Sequence, residues 1–392
     1  MSEVWNLMSH PKVIHVITRL VVGGAQENTI LTCKGLRDRG YDVTLVTGPE
    51  SGAEGSLLEA ARSGGARVVV LKSMRRNPRP ILDLIALVSL FRFFRRERPD
   101  IVHTHSSKAG ILGRAAARLA GIPVIVHTNH GLPFHDGQPW FVNRFWRFLE
   151  KIVAPATAKF ICVGETMKRE SIEAGLAPPE RHEVVYSGME IPAVGHYTAS
   201  RSDLRPRFGI RDSQPVIGWV GRLVDQKAPL DFVDVLDIVL PQAPAARVQI
   251  VGDGPLRAEI ESTIGKRSWA DRVSFTGRVD PEVVPSYLSV MDVAVLTSHW
   301  EGLPRVAVQA ALAGLPVAAY DVEGASEVVR SGETGFLVPV GDKRALARSV
   351  LDVLSSPDRG RSMGLKGRAL VAERFDGRRM VDDVDRIYRE LL

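Results

Sequence analysis

The feature that most constrains this chain is a rhythm it runs through twice: short Val- and Ile-rich runs alternate with longer stretches of helical periodicity. Continuous apolar runs suit strands buried on both faces, as in a parallel sheet, and the helices between them supply the crossovers. In the first half the strand candidates are Val13–Thr18, Asp42–Thr47, Arg67–Leu71, Ile101–Thr104, Val124–Thr128, Phe160–Val163 and Glu183–Tyr186. After an irregular, proline-containing stretch at Ile191–Pro206, a second series follows: Pro215–Val220, Val248–Val251, Val273–Thr276, Val293–Thr297, Val317–Ala319 and Phe336–Val338. The expected fold class is therefore α/β, with two Rossmann-like parallel-sheet domains at residues 1–190 and 191–378 and a terminal helix within residues 379–392.

A length of 392 residues is enough for two full cores, and 45% apolar with 24% charged residues is the balance of a water-soluble globular chain. Only Cys33 and Cys162 occur, far apart and without ligand spacing, which argues against a disulfide framework or thiolate zinc site and fits a reducing, cytoplasmic setting. No signal-peptide core and no membrane-spanning apolar segment is evident. The net charge of +6 is unevenly spread: residues 1–190 carry 25 Lys and Arg against 18 Asp and Glu, the remainder 26 against 27. A basic first half suits an anionic membrane surface or a phosphate-bearing acceptor as well as a plain solvated surface; a nucleic-acid partner is not expected, since no basic stripe with interleaved aromatics occurs.

Two helical stretches of the first half bear on that choice. Ile81–Arg98 is apolar almost all round before ending in Arg92, Arg95, Arg96 and Arg98, and reads as a buried helix with cations at its carboxyl end. Phe141, Phe145, Phe148 and Ile152 form a stripe at helical spacing beside Arg144, Arg147 and Lys151; this reads better as a core-packing helix than as one lying on a membrane.

The chemistry-bearing motifs sit at strand ends, where α/β sheets bind ligands. His299–Trp300–Glu301–Gly302–Leu303–Pro304–Arg305 follows Val293–Thr297 and opens a helix, with Pro304 expected at the first helical position and Gln309 eight residues beyond Glu301, near the same helical face. Gly23–Gly24 follows the first strand, Gly221–Arg222 with Lys227 follows Pro215–Val220, and Gly252–Asp253–Gly254 ends Val248–Val251. Glycines there let backbone approach a ligand, and fixed cations face an anion such as a diphosphate. Asp253 could equally cap the next helix. Five histidines, His103, His105, His127, His130 and His135, cluster at first-half strand ends; His103 and His105 could share a strand face, but no acid or cysteine joins them at ligand spacing, so no metal is expected. Asp383 and Asp385 point different ways on a helix and do not make a metal pair.

Together Gly23–Gly24, His127–Thr128–Asn129–His130–Gly131, Arg222, Lys227, Asp253, the Glu301-to-Gln309 segment and Gly332–Val338 resemble the family 4 retaining glycosyltransferases (glycosyl transferases group 1). Pro304 and Gln309 depart from the pattern, standing where the family has a glycine and its second acid. The resemblance implies the GT-B fold, with two Rossmann-like domains facing a central cleft and the last helix crossing back to the first. It implies a cytoplasmic enzyme, free or peripheral at the inner membrane face, moving a hexose from a UDP-sugar (or GDP-sugar) to an acceptor hydroxyl with retention, without a metal or other cofactor; a lipid-linked surface-polysaccharide precursor is the expected acceptor. Catalytic roles fall to His130, Arg222, Lys227 and Glu301; donor binding to Gly23, Gly24, Gly221, Gly252, Asp253, Gly254, Gly302, Leu303, Arg305 and Gln309; and acceptor contacts to His135 and Asp136. An inactive sugar-nucleotide binder or a sugar-nucleotide epimerase of the same fold are the alternatives.

Overall fold

The computed structural model describes residues 10–49, 55–134, 138–190 and 201–392. The chain divides into two compact units: Met1–Glu190 joined by Phe375–Leu392, and Ile191–Arg374. All thirteen expected runs form strands.

In the first unit β1 (Lys12–Ile17), β2 (Asp42–Thr47), β3 (Arg67–Val70), β4 (Ile101–His105), β5 (Val124–Asn129), β6 (Lys159–Cys162) and β7 (His182–Val184) make one parallel sheet in the order β3-β2-β1-β4-β5-β6-β7. From Val13 to Ile17 every residue of β1 is buried, which is why the run is continuously apolar apart from His15. One sheet face is covered by the helices Gly24–Asp38 and Gly377–Leu391, through Cys33, Leu36, Met380, Val384, Ile387 and Tyr388. The other is covered by Pro80–Glu97 and Ser107–Ala120. The terminal helix thus belongs to the first unit, beginning at Gly377 with Asp376 accepting a cap bond from the Arg378 N–H. It lies so close to Gly24–Asp38 that a Cβ on Gly35 would come within 2.6 Å of Val381. Asp385 accepts a hydrogen bond from Tyr41 Oη (2.7 Å) and pairs with Arg389 (2.9 Å).

Two helices differ from the sequence reading. Pro80–Glu97 is buried only along Ala86, Leu90, Phe93 and Phe94, while Ile81, Leu84, Ile85 and Val88 are exposed. Trp140–Val153 turns its aromatic stripe outward: Phe141, Phe145, Phe148 and Ile152 are all more than half exposed, so this is not a core-packing stripe. Its inner face is anchored by Val153 and by Glu150, which meets Arg114 at 2.6 Å with both side chains fully enclosed. A buried carboxylate must face its partner, and that requirement decides which stripe of the helix points inward. Among the described residues no helix is long and apolar enough to cross a membrane.

In the second unit β8 (Val216–Val220), β9 (Arg247–Val251), β10 (Val273–Phe275), β11 (Val293–Leu296), β12 (Val317–Tyr320) and β13 (Gly335–Val338) form a second parallel sheet in the order β10-β9-β8-β11-β12-β13. Its core joins Ile217, Trp219, Val248 and Val293 to the helix Pro229–Val239 through Phe232 and Leu236. In each unit the order reverses beside its first strand, at β1/β4 and at β8/β11, the switch points where open α/β sheets hold ligands.

Candidate functional site

In the second unit the turns after β8 and β9 are fastened together. Gly221 donates its N–H to the Val251 carbonyl (2.9 Å) and Leu223 to that of Asp253 (3.0 Å). Gly252 has φ +135, and a Cβ there would lie 1.9 Å from the Gly221 carbonyl oxygen; one on Gly254 would lie 2.4 Å from that of Leu223. These glycines are therefore required by close backbone approach, and they hold Gly221 and Arg222 beside Asp253. The Asp253 carboxylate accepts the N–H of Gly254 (2.8 Å), tightening its own turn; the following helix starts at Arg257 without a side-chain cap.

A second fastening joins the turn at Asp225–Lys227 to the segment after β11. Trp219 Nε1 donates to Thr297 Oγ1 (3.1 Å), and that hydroxyl donates to the Lys227 carbonyl (2.9 Å). The His299 N–H reaches the Gln226 carbonyl (2.9 Å), and the Gln226 amide reaches the Trp300 carbonyl (3.0 Å). Ala228 completes the turn at φ +42, a left-handed conformation costing about 1–2 kcal/mol in an L-residue, held by these bonds on either side. The result is an ion pair between Lys227 Nζ and Glu301 Oε1, the two side chains 20% and 10% exposed, so the charges compensate each other in a mostly dry setting. Ser298 Oγ donates to the same carboxylate oxygen (2.8 Å), and the Glu301 N–H is accepted by Glu323 (3.3 Å). From behind, Gly324 at φ +71 packs on Gly302, whose carbonyl oxygen would be 2.1 Å from an added Cβ. Farther out, His299, Tyr320 and Lys343 converge on Asp231 at 3.0, 3.1 and 3.0 Å. Burial pushes the Asp231 carboxyl up, but hydrogen bonds from His299 and Lys343 more than offset this and hold it below its ordinary range.

The helix after Glu301 starts later than its sequence suggests: it spans Arg305–Leu312, with Pro304 at the N-cap and not in the first turn. Glu301 thus stands in the preceding loop, and the eight-residue spacing to the half-buried Gln309 is not a purely helical offset. Gly302, Leu303 and Arg305 line this loop and helix start. Gly23 and Gly24 open the helix after β1, but Gly23 is extended (φ 173), and a Cβ there would crowd only the far end of the Gln26 side chain (2.8 Å), with the nearest backbone atom, the Val21 carbonyl oxygen, at 4.0 Å, so no backbone constraint demands glycine. His135 and Asp136 lie outside the described residues. Ser298, Asp231 and Glu323, which position Glu301 and its loop, were not singled out as site residues from sequence.

His130 belongs to the first unit, just past β5, and its Nε2 lies 3.1 Å from His105 Nδ1. Behind it stands a cluster that sequence reasoning reached only in part. The β1/β4 register sets His15 opposite His103, and ring nitrogens of His15, His103 and His105 all fall within 4.8 Å of one another. All three rings are buried. Burial pushes His15 down to about 3 and His103, His105 and His127 well below the usual histidine range, helped at His103 and His105 by their histidine neighbours and at His127 by Arg114. Each ring is therefore a neutral donor-acceptor pair at physiological pH.

Comparison with known proteins extends over both units. The model of the family described as "Glycosyl transferase 4-like domain" matches residues 23–188, and that described as "Glycosyl transferases group 1" matches residues 200–370. The chain is 32% identical to UDP-Gal:alpha-D-GlcNAc-diphosphoundecaprenol alpha-1,3-galactosyltransferase of Escherichia coli, covering 84% of each chain. It is 30% identical to 2-deoxystreptamine N-acetyl-D-glucosaminyltransferase of Streptomyces fradiae, over 87% of this chain and 84% of the other. Among solved structures, HepE of Anabaena in complex with UDP and glucose superposes with a TM-score of 0.79 at 22% identity, over 97% of this chain and 100% of that one.

Proposed function

The chain belongs to the glycosyl transferases group 1 family and is a glycosyltransferase of the GT-B fold class; from that premise we propose that it moves a hexose from a UDP-sugar to a hydroxyl of a lipid-linked glycan, with retention at the anomeric carbon. The observation that carries the reading is the Lys227–Glu301 pair held at the β8/β11 switch point, one cation and one carboxylate built into two loops that fasten each other. Glu301 would accept hydrogen bonds from sugar hydroxyls, while Lys227 and Arg222 would face the diphosphate and stabilise the charge that grows on it as the anomeric carbon–oxygen bond breaks. Gly221, Gly252, Asp253 and Gly254, with Gly302, Leu303 and Arg305, would line the nucleotide and diphosphate, and Gln309 would offer its amide to the ribose. Gly23 and Gly24 are assigned to the donor side of the first unit, and His130, His135 and Asp136 to substrate hydroxyls. In the step itself the acceptor oxygen bonds to the anomeric carbon from the leaving-group face, its proton passes to a donor phosphate oxygen, and the nucleoside diphosphate departs. No side-chain nucleophile is required.

A UDP donor and a lipid-linked acceptor are supported by the E. coli relative, named as a transferase from UDP-Gal to a diphosphoundecaprenol-linked sugar. Charge neutralisation is assigned to Arg222 and Lys227, so transfer is expected to continue in EDTA. The test is mass-spectrometric detection of nucleoside diphosphate released from a panel of UDP- and GDP-sugars, with and without EDTA and an undecaprenyl-diphosphate-linked sugar. One UDP-sugar should release UDP only with the lipid acceptor and equally in EDTA. Interconversion of sugars without release would mean an epimerase, and binding without turnover a non-catalytic binder; a release abolished by EDTA would overturn the metal-independent scheme.

A lipid-linked acceptor places the first unit at a membrane surface, and the helix Trp140–Val153 fits that setting. Phe141, Phe145 and Phe148 are exposed beside exposed Arg144, Arg147 and Lys151, a pairing of apolar and cationic side chains suited to an anionic bilayer. The double variant Phe145→Ser/Phe148→Ser is expected to weaken binding to phosphatidylglycerol vesicles by about a hundredfold or more, given roughly 1.5–3 kcal/mol for each fully buried Phe. Its transfer rate to a water-soluble acceptor analogue should stay unchanged. Undiminished vesicle co-sedimentation by the variant would remove this helix from the membrane contact.

A further inference from the structure

The helix Pro80–Glu97 carries a second apolar stripe that the first unit leaves in solvent. Its inward side is set by Ala86, Leu90, Phe93 and Phe94, which join the core on one sheet face. Ile81, Leu84, Ile85 and Val88 recur at helical spacing on another side, with Ile81 and Leu84 79% and 61% exposed. A single exposed apolar residue needs no explanation, but four on one helical stripe form a patch that does. The chain around them is strongly basic: residues 72–98 hold eight Lys and Arg against two acids, Asp83 and Glu97. Both acids are already engaged. Asp83 accepts the Arg79 N–H (2.9 Å) and pairs with Lys108 (2.5 Å), while Glu97 meets Lys12, Arg67 and Arg96 at 2.8, 3.2 and 3.0 Å. The exposed Arg79 stands before the stripe and the exposed Arg92 and Arg95 after it, so cations bracket the apolar residues at both ends.

The stripe stands beside the ligand-binding edge of its sheet. The connections from β3 to β4, β4 to β5 and β5 to β6 all step the same way along the strand order, so right-handed crossovers put Pro80–Glu97, Ser107–Ala120 and Trp140–Val153 on one face. Pro80–Glu97 packs on Ser107–Ala120, and that helix packs on Trp140–Val153. A crossover helix runs antiparallel to its strands, so its first half lies near their carboxyl ends, and all four stripe residues are in that half. Lys108, just past β4, secures this end by donating to the Asn77 carbonyl (2.7 Å) as well as pairing with Asp83. Of the surfaces that could cover such a stripe, an anionic bilayer fits its chemistry. A second copy packed isologously would set the patch against itself and oppose its cations with the same cations. Anionic headgroups attract them instead, and the acyl region behind the headgroups receives aliphatic side chains. We propose that Pro80–Glu97 is a second membrane-docking helix, lying on anionic lipid alongside Trp140–Val153, so that the first unit rests on the bilayer along two helices and presents its strand-end edge to a lipid-linked acceptor. The inference deepens the membrane setting read for Trp140–Val153 and rests on it for the choice of a bilayer.

The test is co-sedimentation of the full chain with phosphatidylglycerol or phosphatidylcholine vesicles, without donor or acceptor, joined to a fluorescent reporter. Leu84→Ser/Ile85→Ser should weaken binding to phosphatidylglycerol about tenfold or more, because both side chains lose their burial in lipid. Combined with Phe145→Ser/Phe148→Ser the losses should multiply, since two helices that insert separately contribute independently. Arg92→Gln/Arg95→Gln should weaken binding about tenfold on phosphatidylglycerol and leave a shallower dependence on salt. Melting temperature and transfer to a water-soluble acceptor analogue should be unchanged in both double variants of Pro80–Glu97. Cys33 and Cys162 are buried, so an environment-sensitive label on Ile81→Cys reports that position alone, and its emission should rise and shift to the blue on phosphatidylglycerol vesicles. Full binding by Leu84→Ser/Ile85→Ser with a silent label would overturn the proposal while leaving Trp140–Val153 as the membrane contact. Equal binding to both kinds of vesicle, or a dimer in solution that Leu84→Ser/Ile85→Ser dissociates, would also overturn it. A wild type that sediments with neither vesicle would remove the membrane setting for both helices.

Discussion

Glu301→Gln is expected to lower kcat/KM for sugar transfer by about 10²–10³-fold, the scale on which losing one preorganised polar contact to a reacting group is felt. The amide keeps the shape of the side chain and can still accept one bond from Ser298 Oγ, but it no longer compensates Lys227. Lys227→Met should cost a similar factor, because the same pair is broken from the other side. The double variant should lose little more than either single one, since each already removes the unit that works together. Steady-state nucleotide release gives the three values. Melting curves should separate this from unfolding, because loops fastened by Thr297, His299 and Gln226 do not depend on the ion pair for their course. Multiplicative losses would mean that the two residues act independently, and near-normal turnover in either single variant would remove the pair from catalysis.

The second large effect is acid lability of the first unit. His15, His103, His105 and His127 are held neutral in the fold, His15 at about 3 and the others well below the ordinary 6.5, to which each returns on unfolding. Because the folded pKa values are depressed, the unfolded chain binds more protons below pH 6.5, so stability is complete above that pH and falls as the pH drops through it. Each histidine contributes up to about 1.4 kcal/mol per pH unit, approaching roughly 5 kcal/mol per unit for the four. Glu97, pushed to about 2 chiefly by its hydrogen bond with Lys12, adds to the loss only below its ordinary 4.5, so among the described residues the window from 6.5 to 4.5 belongs to the depressed histidines, to which His182, lowered by burial, also contributes. Urea unfolding followed at several pH values across that window should show the slope, and His127→Gln should make it shallower. A flat profile would contradict the burial of neutral rings.

Much of this was legible in the sequence. The strands announced themselves because a parallel sheet buries both faces of its central strands and so selects unbroken Val and Ile runs, although the edge strands β3 and β10 are partly exposed. The Glu301 loop, Lys227 and the Gly252–Gly254 turn stood out because strand ends carry few residue types that combine tight turns with charge. Helix orientation was less readable. Trp140–Val153 has apolar residues on two stripes, and nothing local says which is inward until Glu150 finds Arg114, thirty-six positions earlier. The start of the helix after Glu301 was also placed too early, because a proline suits the cap and the first turn alike.

The sequence by itself thus determined the two α/β units, their switch-point loops and the chemical character of the residues there, since all of these follow from local periodicity, turn chemistry and charge. Tertiary structure alone decided which distant side chains meet. It brought Lys227 to Glu301 across the β8/β11 reversal, Ser298 and Glu323 around that carboxylate, and His15, His103, His105 and His130 into one buried cluster of the first unit. The reason is physical: hydrogen bonds between side chains depend on strand register and helix docking, which are set by the packing of the whole unit and leave no mark on the spacing of the residues involved.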